Sequence, residues 1–212
     1  AQAVVAVNTL LVGAQAQAQV SCAGGSNGAV LVNVGGGQAP FLFQLSTGAS
    51  NQTGLFENLP AGNYSATVTD GQGFTATSNT VVLSQPLPIT ASSSTSYYQI
   101  TVSASGGTGA LTYSIDGQNF QASPNFNPGQ NGDFTLIVRD QSGCTAQVLA
   151  TVNVPDLTAE AVVAGQILCA GQTTGIVAVM AGGGQPPYEY SLNGTDFQGS
   201  AQFSGLAAGV YP

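Results

Sequence analysis

Tyr113-Ser114-Ile115-Asp116-Gly117-Gln118-Asn119-Phe120-Gln121-Ala122-Ser123-Pro124-Asn125-Phe126 returns later in the chain as Tyr190-Ser191-Leu192-Asn193-Gly194-Thr195-Asp196-Phe197-Gln198-Gly199-Ser200-Ala201-Gln202-Phe203. Just before the first copy runs Gly106-Gly107-Thr108-Gly109-Ala110-Leu111-Thr112. Just before the second runs Gly182-Gly183-Gly184-Gln185-Pro186-Pro187-Tyr188-Glu189. A weaker third copy lies upstream, where Gly35-Gly36-Gly37-Gln38-Ala39-Pro40-Phe41-Leu42-Phe43-Gln44-Leu45 matches both. The copies stand about 70–75 residues apart, too long a period for a solenoid and close to that of a small sandwich domain. Such a chain is several copies of one module, and arrays create length and valency.

The stretches around these copies are strand after strand. Val4-Val5-Ala6-Val7, Ala29-Val30-Leu31-Val32-Asn33-Val34, Tyr64-Ser65-Ala66-Thr67-Val68-Thr69 and Phe134-Thr135-Leu136-Ile137-Val138 are β-branched or alternating runs. Gln99-Ile100-Thr101-Val102-Ser103, Gln147-Val148-Leu149-Ala150-Thr151-Val152 and Gly175-Ile176-Val177-Ala178-Val179 read the same way. Each is bounded by Gly, Pro, Asn or Asp, the punctuation of hairpins and Greek-key loops. Ala14-Gln15-Ala16-Gln17-Ala18 has helix-forming alanines, but its strict alternation favours a strand. No stretch of helical length carries a 3.6-residue period. The fold class is all-β: tandem Ig-like β-sandwich modules in an extended end-to-end array.

Composition narrows the function. Of 212 residues, 1 is basic and 9 are acidic, for a formal net charge of −8, and Arg139 is the single cation. Charged residues make up 5% of the chain, against about 25% in a typical domain. Nucleic-acid binding needs clustered Lys and Arg and is excluded, as is docking to anionic lipid through a polybasic patch. No apolar run is long enough to span a membrane. Weak like-charge repulsion permits close packing of copies, and one basic residue leaves a trypsin-like protease little to cut. Both properties suit an exposed extracellular polymer.

Ser84-Gln85-Pro86-Leu87-Pro88 and Val154-Pro155-Asp156 mark stiff joints, because proline restrains the backbone and removes a donor. The expected modules are 10–84, 85–154 and 155–212, preceded by a lone strand within 1–9. Ala1-Gln2-Ala3-Val4-Val5-Ala6-Val7-Asn8 aligns with Ala146-Gln147-Val148-Leu149-Ala150-Thr151-Val152-Asn153, the last strand of the second module. Leu206-Ala207-Ala208-Gly209-Val210-Tyr211 corresponds to Leu59-Pro60-Ala61-Gly62-Asn63-Tyr64, after which the third module lacks an equivalent of the hairpin at 66–79. Two expectations follow. Either the stretch belongs to a longer tandem array, or Val4, Val5, Ala6 and Val7 complete the third module of a neighbouring copy by strand addition.

Within a copy the order is Ser-Cys-x-Gly-Gly-x-x-Gly, a strand, Gly-Gly-x-x-Pro-Tyr/Phe, a strand, Leu-x-Ala-Gly-x-Tyr, a strand, then Asp-x-x-Gly-Cys. The pieces are Ser21-Cys22-Ala23-Gly24-Gly25-Ser26-Asn27-Gly28, Leu59-Pro60-Ala61-Gly62-Asn63-Tyr64 and Asp140-Gln141-Ser142-Gly143-Cys144. This pattern resembles the SprB-type repeat of gliding-motility adhesins, found in long surface proteins of Bacteroidota-like bacteria. The resemblance implies an Ig-like sandwich, export to the cell surface, and a role in adhesion or filament formation. It names no ligand. Phe74 stands where a second cysteine belongs in the first module, and the second module has no Ser-Cys segment.

Three cysteines and no histidine cannot assemble the usual zinc or copper ligand set. Cys22 and Cys169 follow the first strands of their modules, whereas Cys144 opens a last strand. In a sandwich those positions lie at opposite poles, about 30 Å apart for a strand of roughly nine residues. Pairing within a module is therefore disfavoured, and a head-to-tail junction brings Cys22 to Cys144. The other reading is three buried, unpaired thiols.

Asp116-Gly117-Gln118-Asn119 and Asn193-Gly194-Thr195-Asp196 resemble fragments of a Ca²⁺ loop but lack its full ligand series, so they read as hairpin turns with glycine at positive φ. Asp70 and Asp140 precede glycines at strand ends, again as turn residues. Without histidine no Ser-His-Asp or Cys-His arrangement exists, and the glycine runs precede neither a helix nor a lysine. Phe41, Phe43, Tyr113, Tyr188 and Tyr190 read as core, with a sugar-stacking platform as the sharper alternative. Asn51, Asn63 and Asn193 open formal glycosylation sequons that turn chemistry explains equally well. The sequence thus points to no enzyme, no metal and no cofactor. The partners it implies are copies of itself or adjacent modules of one long chain, with a surface glycan or protein as alternatives.

Overall fold

The computed structural model describes residues 9–211, and every regular element among them is a β-strand. The first copy supplies β1 (Leu11–Ala18), β2 (Gly28–Gly35), β3 (Leu42–Leu45), β4 (Ser50–Asn51), β5 (Leu55–Leu59), β6 (Gly62–Tyr64), β7 (Ala66–Thr69), β8 (Thr75–Thr77) and β9 (Val81–Leu83). The second supplies β10 (Thr90–Ser96), β11 (Gln99–Ser105), β12 (Thr112–Ser114), β13 (Asn125–Phe126), β14 (Gly132–Arg139) and β15 (Thr145–Val152). The third supplies β16 (Thr158–Gly165), β17 (Gly175–Gly182) and β18 (Gln202–Leu206). The strand expected over Val4, Val5, Ala6 and Val7 lies outside the described residues.

One three-stranded antiparallel sheet recurs in all three copies, as β1-β2-β5, β10-β11-β13 and β16-β17-β18. The Ala-Gln alternation falls inside β1, whose register runs from Leu11 opposite Gly35 to Ala18 opposite Ala29. Pairing along the whole strand outweighs the alanines' helical preference. A bulge between Ala16 and Ala18 is matched by one between Val163 and Gly165, so even the irregularity repeats. Against this sheet the first copy sets β4-β3-β7-β8 and the pair β6-β9. Val30, Val32 and Phe56 meet Phe43, Leu45, Tyr64, Ala66, Val68, Val81 and Leu83 between them. Burying a valine, leucine or phenylalanine of this set stabilises the fold by about 1.5–3 kcal/mol before entropy is set against it.

The run Tyr64–Thr69, expected as a single strand, is two. At Ser65 the chain leaves β6, which pairs with β9, and enters β7, which pairs with β3 and β8. Ser65 instead gives its amide to Ser46 Oγ (3.3 Å) and its carbonyl to the Ser46 amide (2.8 Å), while the Ala66 amide bonds Ser78 Oγ (2.9 Å). Those partners are remote in sequence, so the run itself carries no sign of the break.

By compactness the chain groups into two units. One comprises the chain up to Ser92 together with Val102–Pro124 and Thr135–Val148; the other comprises Ser93–Thr101, Asn125–Phe134 and everything from Leu149 on. The second copy, as delimited by sequence, contributes residues to both. In the first unit Val30, Val68, Leu136 and Val138 are fully buried; in the second Ile100, Ala150, Val152 and Val154 are buried. No helix among the described residues is long and apolar enough to cross a membrane.

Candidate functional site

Four local devices recur from copy to copy. The first is the turn at the start of the quoted repeat. Tyr113 and Gln121 exchange both backbone hydrogen bonds (2.8 and 2.9 Å), and Tyr190 and Gln198 do the same at the same distances. Inside the turn the Ser114 hydroxyl donates to Asp116 and accepts the Gly117 amide, as Ser191 does with Asn193 and Gly194. Asp116 also accepts the amides of Gln118 and Asn119 and the Asn119 side chain. The Asn119 backbone and side-chain donors, then Gln118 and Ser114, hold this carboxyl far below the usual carboxylate range. Gly117 and Gly194 both take φ of +74°, as a tight hairpin demands. Asp116 Oδ1 and Asn193 Oδ1 each hold their own turn by accepting one side-chain hydroxyl and two backbone amides.

The second device is a buried aspartate that ties two loops together. Asp70 accepts the Gln72 and Phe74 amides with one oxygen and the Gln38 amide with the other. Asp140 repeats this with Cys144 (2.8 Å) and Thr108 (2.7 Å). Burial pushes both carboxyls up, but the backbone donors outweigh it: Phe74, Gln38, Gln72 and Gly73 for Asp70, and Thr108, Cys144, Ser142 and Gly143 for Asp140. Both end below the ordinary value. A Cβ on Gly107 would stand 2.9 Å from Asp140 Oδ2, so only glycine leaves room for this bond. Asp70 and Asp140 are therefore turn locks, each serving its own copy.

The third device is the proline joint. The Leu87 carbonyl accepts the Gly107 amide (2.9 Å), and a Cβ on Gly106 would run into the Pro88 carbonyl. At the next joint the Pro155 carbonyl accepts the Gly184 amide (2.8 Å). Each linker is thus docked on the glycine turn of the copy that follows it. At the first joint Gln85 Oε1 also accepts the Gly24 amide (2.8 Å), which fixes the loop holding Cys22. Cys22 and Cys144 are joined there as a disulfide, with Cα atoms 5.6 Å apart. Asp140 presents Cys144 to this bond through its amide. Cys22, Pro86, Gly107 and Cys144 line one cleft of about 370 Å³. Cys169, the counterpart of Cys22 in the third copy, is exposed and unpaired, unlike the buried thiol that a core role requires.

The fourth device is a tyrosine corner. In Leu-x-Ala-Gly-x-Tyr the Tyr64 hydroxyl donates to the Pro60 carbonyl (2.9 Å), and Tyr211 donates to the Ala207 carbonyl (2.9 Å). The two corners differ in cover. Tyr64 is 4% exposed because β9 lies beside it, with Val81 opposite Tyr64 and Leu83 opposite Gly62. Tyr211 is 37% exposed, and no strand among the described residues pairs with Gly209–Tyr211. Where Leu83 fills the space over Gly28 in the first copy, the third has an open apolar trough of about 340 Å³. Ile167, Gly175, Val177, Leu206 and Tyr211 line it, and no ionisable group other than the tyrosine hydroxyl does.

The remaining sequence candidates fall within the fold's own bonding. Asn51 caps its turn by accepting the Thr53 and Gly54 amides and donating to the Leu55 carbonyl. Asn193 does likewise with Thr195 and Asp196. Phe43 is buried, with Phe41 edge-on to it at 6.4 Å, while Tyr113, Tyr188 and Tyr190 are half-buried. Arg139 stacks its guanidinium over the Phe120 ring, 3.6 Å from the centroid. The joint bonds at Gly107 and Gly184 and the tyrosine corners were missed in the sequence. The recurring Leu-x-Ala-Gly-x-Tyr spacing was the available signal for the corners.

No curated protein matches this chain in sequence. Among solved structures, the tetra-tandem repeat in the extending region of a large adhesion protein aligns with 92% of this chain and 66% of its own, at 12% identity and a TM-score of 0.28. The BSP domain of a biofilm-associated protein covers 67% of this chain and 30% of its own, at 21% identity and a TM-score of 0.24. The SGBP-B protein of a Bacteroides ovatus mixed-linkage glucan utilization locus, solved with a mixed-linkage heptasaccharide, covers 88% and 65%, at 12% identity and a TM-score of 0.24. The SprB repeat family model matches residues 14–50 and 161–197, at equivalent places in the first and third copies. At those two places the chain carries SprB repeats.

Proposed function

We propose that this chain is a structural segment of an extracellular bacterial surface filament or adhesin shaft. On this reading it has no catalytic role, and its modules at 10–84, 85–154 and 155–212 follow one another end to end. Neighbours are joined by tandem linkage or strand complementation. The observation that carries the reading is the repeated joint, in which a linker carbonyl is bonded to the second glycine of the following turn. A linker held in this way transmits orientation from one module to the next, which a floppy linker does not. The disulfide across residues 22 and 144 adds a covalent tie at the first joint, and an oxidising environment outside the cell is where such a bond persists. The scarcity of charge and the matching SprB repeats support the same reading.

Small-angle scattering and electron microscopy of the purified chain test it. The expected particle is a rod several times longer than wide, and a compact sphere would count decisively against a shaft. Specific retention on a glycan array, with an ordinary rod shape, would move the assignment to a ligand-binding adhesin segment.

A further inference from the structure

We infer that the fold closes the chain's single point of attack for proteases that cut after lysine or arginine, and that the Cys22–Cys144 bond keeps the molecule in one piece if that point is cut. The inference goes beyond the shaft reading and does not depend on it.

Arg139 is the one basic residue, so the Arg139–Asp140 peptide bond is the one that such an enzyme can hydrolyse. Exposed turns, which proteases nick most readily, are therefore all free of cleavable residues. In the first copy the corresponding strand position holds threonine, with Thr69 opposite Leu42 as Arg139 is opposite Thr112. Folding thus does not call for a cation at this place.

Cleavage needs three groups at the bond to be free. The guanidinium must enter the enzyme's acidic pocket, the Arg139 carbonyl must be open to attack, and the backbone on either side must lie along the enzyme as an extended strand. Each is engaged. The guanidinium lies over the Phe120 ring, 3.6 Å from its centroid, and Phe120 is held in turn by the two backbone bonds between Tyr113 and Gln121. The carbonyl accepts the Thr112 hydroxyl (3.1 Å). β14 is the middle strand of β12-β14-β15, so both its edges are paired. The Asp140 amide, the other half of the bond, donates to the Cys144 carbonyl (3.0 Å). The buried Asp140 carboxylate accepts the Thr108 and Cys144 amides, which pins the chain just beyond the bond. An enzyme reaches Arg139 only when β14 leaves its sheet, so the rate of cutting follows the population of that opened form.

The disulfide spans the same place. Cys22 precedes Arg139 in the chain, and Cys144 follows it in the turn after β14. Hydrolysis adds one water across the amide, leaving a carboxylate on Arg139 and an amine on Asp140, and it breaks no bond between sulfurs. Residues 1–139 and 140–212 therefore stay joined through Cys22 and Cys144.

The test exposes the full chain to trypsin beside a Gln130→Lys variant, which puts a cleavable residue in the exposed loop between β13 and β14. The variant should be cut after position 130 at least about a hundredfold faster than the natural chain is cut after Arg139. On a denaturing gel the cut variant should run as one species without reductant and as two with it. Phe120→Ala, which frees the guanidinium, should speed cutting at Arg139 about two- to fivefold beyond what any fall in its urea midpoint accounts for. Cutting at Arg139 in the folded natural chain as fast as at position 130 in the variant would overturn the guarded bond. Fragments that part without reductant would overturn the bridging role of the disulfide, and a Phe120→Ala chain cut no faster than its stability accounts for would overturn the clamp. None of these results bears on the rod shape of the chain, so the shaft reading and this one fail separately.

Discussion

At the scale of single residues, the two buried aspartates make the sharpest commitments. Asp70 and Asp140 are ionised below the ordinary carboxylate value of about 3.9 because backbone amides converge on them. A carboxyl depressed in the fold contributes stability that is complete above its unfolded value and is lost as pH falls through the folded one. Urea midpoints should therefore be flat near neutrality and decline below about pH 4. Asp70→Asn with Asp140→Asn should lower the neutral plateau and flatten that acid decline; an unchanged acid slope would mean that other carboxylates govern it. Removing the tyrosine-corner hydroxyl by Tyr64→Phe should cost about 1 kcal/mol, measured by equilibrium unfolding. Tyr211→Phe should cost less, because its hydroxyl is partly open to water.

At the scale of elements, β9 is the strand on which the first core depends. Leu83 is fully buried between Val20, Gly28 and the β6 corner, so Leu83→Ala should lower stability by about 2–5 kcal/mol. Val82, which points outward on the same strand, should tolerate Val82→Thr with little change. A similar cost at both positions in chemical denaturation would contradict the packing described. Most of this architecture was legible in the sequence, because alternation and glycine punctuation are local signals. Ala14–Ala18 read as strand, and Asp116-Gly117 and Asn193-Gly194 read as turns, from their own residues. The division at Ser65 was not legible, because Ser46 and Ser78 supply the bonds that make it and lie elsewhere in the chain. The reach of Asp140 to Thr108 was hidden for the same reason: the acid was recognised as a turn residue, but its second loop is remote. The trough could be anticipated only as a hairpin without a counterpart, and its size and apolar floor required coordinates.

At the scale of the whole molecule, the disulfide sets how the chain responds to reduction. Cys22→Ser with Cys144→Ser should lower stability by about 2–5 kcal/mol, with the larger values expected for so long a closed loop. Reductant should produce the same loss in the unmodified chain and none in the double variant. Labelling with a maleimide before reduction should modify Cys169 alone, and a second modified cysteine would show that the pair is open.

A further consequence concerns tension. The bond bridges 122 residues, so a pull applied to the two termini runs through sulfur and bypasses everything between. That intervening polypeptide, roughly 40 nm when drawn straight at about 3.4 Å per residue, is stored slack that no stretching force releases while the link is intact. Tethered in an optical trap, the molecule should extend by only the unshielded portion. Adding a thiol reductant should then let the concealed length pay out under the same load.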